Sequence, residues 1–178
     1  CDRIRELIRS YIDDRTVVLL VCPARPDLEA DAAVELCMSA CGGRQTVGCL
    51  TKPDQCDAHE QVAACLVGNH SVDLALEHGY FVVRCRSEEK AAMAQTYACE
   101  RDYFRGMPAY AVASERVGVL KMGAFVEALV ARTTRACLPK LRQELVELHT
   151  AALAQHSERL GYAVPEADGD KLSFVNDM

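Results

Sequence analysis

These 178 residues predict an α/β fold, a parallel sheet with flanking helices, and three observations carry that expectation. Thr16 to Cys22 is a β-branched and leucine-rich run without polar alternation, the pattern of a strand covered on both faces. Thr46 to Leu50 and Gly79 to Cys85 are two further short strands, each followed by helical spacing, and repeated strand–helix units imply right-handed crossovers. Half of the residues are apolar and 26% are charged, so the chain can bury a core.

The elements follow in order. Ile4, Leu7, Ile8, Tyr11 and Ile12 recur at helical spacing with charges on the other faces, which predicts an amphipathic first helix. Pro23 and Pro26 close the first strand. Asp27 is placed to cap a helix whose apolar stripe is Ala33, Leu36, Cys37 and Ala40, and Gly42-Gly43 stops it. After the second strand, Asp57 and Glu60 have capping-box spacing ahead of Val62, Cys65 and Leu66. Ser87 caps a helix from about Glu88 to Arg105, ended by Gly106 and Pro108. Leu120 to Cys137 is helical, and Pro139 breaks or restarts the helix. Leu138, Leu141, Leu145, Leu148 and Ala152 then repeat at 3, 4, 3, 4, the narrow seam of a helix that packs lengthwise against others. Residues 161–165 read as a linker.

Charge and composition exclude several classes. Twenty basic against 26 acidic residues leave a net charge of −6, which argues against a nucleic-acid partner, since that partner demands a basic face. The longest purely apolar runs, Val17 to Cys22 among them, are six residues, far short of the roughly 20 residues of a membrane span. Ten cysteines are spread from Cys1 to Cys137, mostly within apolar stretches, and read as free buried thiols rather than a disulfide framework. These features together predict a cytoplasmic protein.

In open α/β sheets ligands sit outside the carboxyl ends of the strands. Thr51-Lys52-Pro53-Asp54 occupies such a place and has the form of a guanine-reading loop. Guanine offers N1–H and a 2-amino group on one edge, a carboxylate such as Asp54 can accept from both, and adenine lacks that donor pair. The stem of Lys52 can lie along the base plane. Cys85-Arg86-Ser87, after the next strand, can cover the other side.

With these loops in view, the chain resembles the dynamin superfamily of large GTPases, in its Mx-like branch. The resemblance runs from Ile4-Arg5 through Val21-Cys22-Pro23-Ala24, Thr46-Val47-Gly48, Thr51-Lys52-Pro53-Asp54 and Arg84-Cys85-Arg86 to Leu160-Gly161 and Phe174. It implies a partial P-loop-GTPase-like sheet followed by long helices leading toward a stalk. Residues 1–135 would be the carboxyl-terminal half of the GTPase domain, 136–160 a signalling helix, and 161–178 a linker and the start of the stalk. Thr51, Lys52, Asp54 and Asp57 would form the guanine-specificity loop, and Cys85, Arg86 and Ser87 the loop over the base; Asp57 keeps two roles open, helix cap and nucleotide contact. The nucleotide implied is GTP. The resemblance further implies homo-oligomeric self-assembly of a longer parent, with membrane or microtubule association and a peripheral-membrane location open to it.

Departures qualify that expectation. None of the five lysines follows a glycine, so no G-x-x-x-x-G-K-[S/T] phosphate loop occurs, and no aspartate is followed three residues later by glycine. Hydrolysis draws its transition-state stabilisation from such phosphate-binding parts and Mg²⁺. The chain alone is therefore expected to turn over no GTP, and Mg²⁺ is expected only with an amino-terminal half. In the resembled sheet, Thr16–Cys22 would be an uncovered apolar edge, prone to associate. Three rival readings are a degenerate assembly module that does not hydrolyse, a zinc site from Cys56, His59, Cys65 and His70, and a cysteine nucleophile paired with His78 or His149.

Overall fold

A computed structural model describes residues 2–13, 15–85 and 93–160. Three strands, β1 (Val18–Pro23), β2 (Thr46–Thr51) and β3 (Tyr80–Val82), pair in parallel in the order β1-β2-β3. Their registers are continuous: Val21 sits opposite Cys49, and Cys49 opposite Phe81. Helix α2 (Ala32–Cys41) lies in the crossover from β1 to β2 and α3 (His59–Leu66) in that from β2 to β3. Helices α1 (Asp2–Tyr11), α4 (Met93–Arg105) and α5 (Val119–Leu160) complete the set. No helix among the described residues is long and apolar enough to cross a membrane. Residues up to Thr133 form one compact unit, and a second begins at Thr134.

Successive side chains of a strand alternate between faces, and here the two faces differ. Leu20, Cys22, Leu50, Tyr80 and Val82 join one core with Val34, Cys37 and Cys41 of α2, Val62, Ala63 and Leu66 of α3, and Phe104 and Tyr110. On the other face, Val47 and Phe81 pack with Phe125 and Leu129 of α5. The Arg116 guanidinium is held 4.8 Å from the Phe81 ring and 5.0 Å from that of Phe125, and it donates to the His78 carbonyl at 2.8 Å.

Gly48 sits in the middle of β2 because a neighbour takes its side-chain space. A Cβ there would meet the Tyr80 ring at 2.2 Å. That ring is fully buried, and its hydroxyl donates to the Leu74 carbonyl at 2.9 Å, which satisfies the one polar atom it carries inward.

Several expectations are corrected by packing. β1 is covered on one face only: Leu19 and Val21 are 45% and 52% exposed, since α5 covers the β2 and β3 side of that face. Helix α2 is capped by Asp31, whose side chain accepts the Ala33 N–H at 2.8 Å; Asp27 precedes a 3-10 turn, Leu28–Ala30, and caps nothing with its side chain. The Asp57–Glu60 box does not form, because α3 starts at His59 with Ala58 at the cap, one residue too late for Asp57. β3 is three residues long, against the seven expected from Gly79 to Cys85. Pro139 neither breaks nor restarts α5; the carbonyl that its missing N–H leaves free belongs to exposed Arg135, within reach of water, and strong helix formers flank it. The Gly42 stop is present, in the left-handed conformation with φ +60°. In the second unit, Leu138, Leu145 and Leu148 are exposed. Ser87, the expected cap of α4, and the linker at 161–165 lie outside the described residues.

Two measurements check this packing. Gly48→Ala should lower stability by about 1–3 kcal/mol in urea unfolding, as overpacking does, and should cost less in a Tyr80→Leu background. Sedimentation velocity should show concentration-dependent association of the chain through the exposed side of β1. Val21→Lys should suppress it while changing stability by no more than about 0.5 kcal/mol.

Candidate functional site

Parallel pairing brings the carboxyl ends of the three strands to one edge, and the segments leaving them are stitched together. The Ala24 N–H donates to the Thr51 carbonyl at 2.7 Å, the Thr51 hydroxyl to the Cys22 carbonyl at 3.3 Å, and the Val83 N–H to the Leu50 carbonyl at 2.9 Å. Thr51 is half-buried by these contacts.

Beyond Thr51 the chain makes a sharp turn. Lys52 adopts the left-handed region, φ +54° and ψ +46°, and caps a 3-10 turn, Pro53–Gln55. Its carbonyl accepts the Gln55 N–H at 3.0 Å, and that of Pro53 accepts the Cys56 N–H at 3.2 Å. A non-glycine residue there carries strain of about 1–3 kcal/mol and persists only where its surroundings enforce it. Pro53 and Cys56 do so, being buried at either end of the turn. Lys52, Asp54 and Asp57 are left exposed. The turn thus fixes its backbone inward and presents an ammonium and two carboxylates outward.

Cys85 is exposed three residues beyond β3. Arg86 and Ser87 lie outside the described residues. Two further side chains, Arg84 and Tyr103, lie within electrostatic reach of the Asp54 turn. The Arg84 guanidinium lies 4.9 Å from the Tyr103 ring, a cation–π contact. Burial, and then the Asp54 carboxylate, push the Tyr103 phenol up, with Arg84 opposing them. Asp54, Tyr103 and Arg84 therefore share one neighbourhood. Among the described residues, neither the Tyr103 hydroxyl nor Arg84 Nε has a hydrogen-bond partner, although both atoms are buried. Tyr103 lies on α4, far from the loops in sequence, so only its aromatic character on a helix following β3 could have pointed to it.

The arrangement suits recognition better than covalent chemistry. Every thiol whose ionisation shifts is pushed up by burial: Cys22 to about 12, Cys49 to about 11, and Cys37 and Cys65 also upward. Nucleophilic thiols need the opposite shift. The proposed zinc ligands are engaged separately. His59 Nδ1 lies 3.1 Å from the Tyr110 hydroxyl, His70 Nδ1 lies 2.9 Å from the Ser71 carbonyl, and no group of three metal-ligating side chains forms among the described residues. A cavity of about 610 Å³ lies elsewhere, lined by Tyr97, Phe104, Tyr110 and Lys121 among others, and includes none of Thr51, Lys52, Asp54, Asp57 or Cys85.

The family model described as Dynamin central region matches residues 66–178. Over 97% of its length the chain is 29% identical to interferon-induced GTP-binding protein Mx1 of Canis lupus familiaris, and over 97% it is 28% identical to interferon-induced GTP-binding protein Mx2 of Sus scrofa. It is 25% identical over 99% of its length to the Mx1 protein of Ictalurus punctatus. It covers 27%, 25% and 29% of those relatives, about a quarter of their length.

Against an ordinary thiol near 9, the shifts at Cys22 and Cys49 cut the thiolate fraction at pH 8 by about three and two orders of magnitude. Iodoacetamide at pH 8, read by peptide mass spectrometry, should mark exposed Cys85 and Cys99 well before Cys22 and Cys49. Labelling of Cys22 should rise about tenfold per pH unit while the chain stays folded. Equal labelling of Cys22 and Cys85 at pH 8 would contradict the burial of Cys22 on the covered face of β1.

Proposed function

The chain belongs to the dynamin family, and from that premise we propose that it supplies the base-reading part of a guanine-nucleotide site. Asp54 accepts the N1–H and 2-amino group of guanine through its two oxygens, and the Lys52 stem lies along the base. Thr51 holds the start of the loop, and Asp57 extends its acidic rim. Cys85, with Arg86 and Ser87, closes over the other side of the base. The observation that carries this reading is the exposed Asp54 on a turn strained at Lys52 and anchored by Pro53 and Cys56, at the carboxyl end of the central strand.

A carboxylate read in this way rejects adenine because the wrong base leaves it desolvated and unpaired. GTP is the nucleotide of the whole protein, and its γ-phosphate supplies the hydrolysable bond. The phosphate loop and the donors that hold Mg²⁺ belong to motifs these 178 residues do not contain, so the division of labour leaves recognition here and hydrolysis to those motifs. Self-assembly of the whole protein is supported by the exposed leucines of the second unit.

Saturation-transfer NMR on the chain at low micromolar concentration, with GMP and AMP as probes, tests the assignment. GMP should receive saturation at a concentration where AMP does not. Asp54→Asn should erase the preference, a loss of about 10- to 100-fold for a charge-assisted pair of hydrogen bonds. Equal transfer to both nucleotides by the unaltered chain refutes it.

A further inference from the structure

Cys37 and Cys41 lie one turn apart at the end of α2, and their sulfurs are 3.8 Å from each other. Thr46, the first residue of β2, stands against both: its hydroxyl oxygen is 3.6 Å from Cys37 Sγ and 3.5 Å from Cys41 Sγ. All three residues are buried. The Thr46 hydroxyl donates to the Arg44 carbonyl at 2.9 Å, so its one proton is committed there and its lone pairs are left for the sulfurs.

Two sulfurs and an oxygen thus form a nearly equilateral triangle. The point equidistant from its three corners, its circumcentre, lies about 2.1 Å from each, close to the roughly 2.3 Å of a metal–thiolate bond. An ion slightly out of that plane reaches all three donors without any of them moving. Filling space accounts for the burial of two thiols, but it asks for no route from solvent. A cavity of about 240 Å³ reaches Cys41, and Ile12, Asp13, Arg44 and Glu77 also line it. Arg44 Nε donates to the Cys41 carbonyl at 3.3 Å, which holds a guanidinium at this end of the helix.

The donor set selects among ions. A structural zinc ion takes four strong ligands, and no third His, Cys, Asp or Glu joins this pair among the described residues. Thiolates are soft donors and favour copper(I), which accepts two or three of them. We propose that Cys37 and Cys41 form a two-thiolate site for copper(I), with the Thr46 hydroxyl oxygen as a third, weaker donor and Arg44 as the counter-charge. Uptake exchanges two S–H bonds for two copper–sulfur bonds and releases both protons to solvent. Copper stays in the +1 state, so no oxidant or reductant is consumed. The site ties the last turn of α2 to the start of β2 and does not depend on the base-reading assignment.

The test blocks exposed Cys85 and Cys99 with iodoacetamide at pH 8, then titrates the chain anaerobically with copper(I) against the chelator bathocuproine disulfonate. One copper(I) should be held per chain, and X-ray absorption should find two sulfurs on it. Cys37→Ser and Cys41→Ser should each weaken binding by more than about 100-fold, beyond the loss from removing a residue that only supports a ligand. Thr46→Val, which keeps the shape, should cost about tenfold. Phenylarsine oxide gives a second arm that needs no substitution: it bridges two thiols, its oxygen leaves as water, and arsenic stays trivalent. Peptide mass spectrometry on the unaltered chain should place the bridge between Cys37 and Cys41, and this arm decides the matter should the serine variants fold poorly. Copper(I) held equally by both serine variants, or held only before the exposed thiols are blocked, overturns the site. An arsenical bridge that omits Cys41, or none at all, overturns it too.

Discussion

The described structure depends on β2 being paired on both edges and buried on both faces. Thr46 to Leu50 are all buried, with α2 and α3 on one side and the start of α5 on the other. A strand so enclosed must run parallel to its neighbours in fixed register, because a slip of one residue would exchange its two faces. The enclosure also determines where Thr51 ends, and so places the next turn between the segments that leave β1 and β3. The outward display of Asp54 begins in the packing of Val47 and Leu50.

That display combines two opposed demands. In the role proposed for it, Asp54 must reach solvent while its backbone is held in place, since hydrogen-bond lengths vary by only a few tenths of an ångström. Burying Pro53 and Cys56 on either side of Asp54 meets both, and the left-handed Lys52 is the local strain that results. Arg84 and Tyr103 extend the same logic to the neighbouring loop. Their cation–π pair lies within electrostatic reach of Asp54, and among the described residues its Nε and hydroxyl have no hydrogen-bond partner.

Features governed by local chemistry were legible in the sequence. The turn after Thr51 and the left-handed stop at Gly42 each follow from a residue or two acting on its own backbone. Features governed by distant partners were not. Whether Val21 is covered depends on where Phe125 and Leu129 of α5 fall, and nothing in the run from Thr16 to Cys22 encodes that. Asp27 and Asp31 both offer a capping carboxylate to the same helix. The choice of Asp31 goes with a 3-10 turn at Leu28–Ala30 and an ion pair with Arg25. The spacing of Asp57 and Glu60 satisfies a box, but α3 starts two residues after Asp57. Tyr103 looks like an ordinary helix residue until Arg84 arrives beside it. The exposed turn after Thr51 was thus legible in the sequence, and the helix that carries Tyr103 beside it was not.

Lys52 sits where the backbone favours glycine. Glycine enters the left-handed region without a steric penalty, so a chain optimised for folding alone would carry glycine between Thr51 and Pro53. If Lys52 serves the proposed site, a long charged side chain where the backbone would accept none sets stability against use. Under the proposed role, drift toward glycine at this position would signal a lineage in which the loop had lost its task.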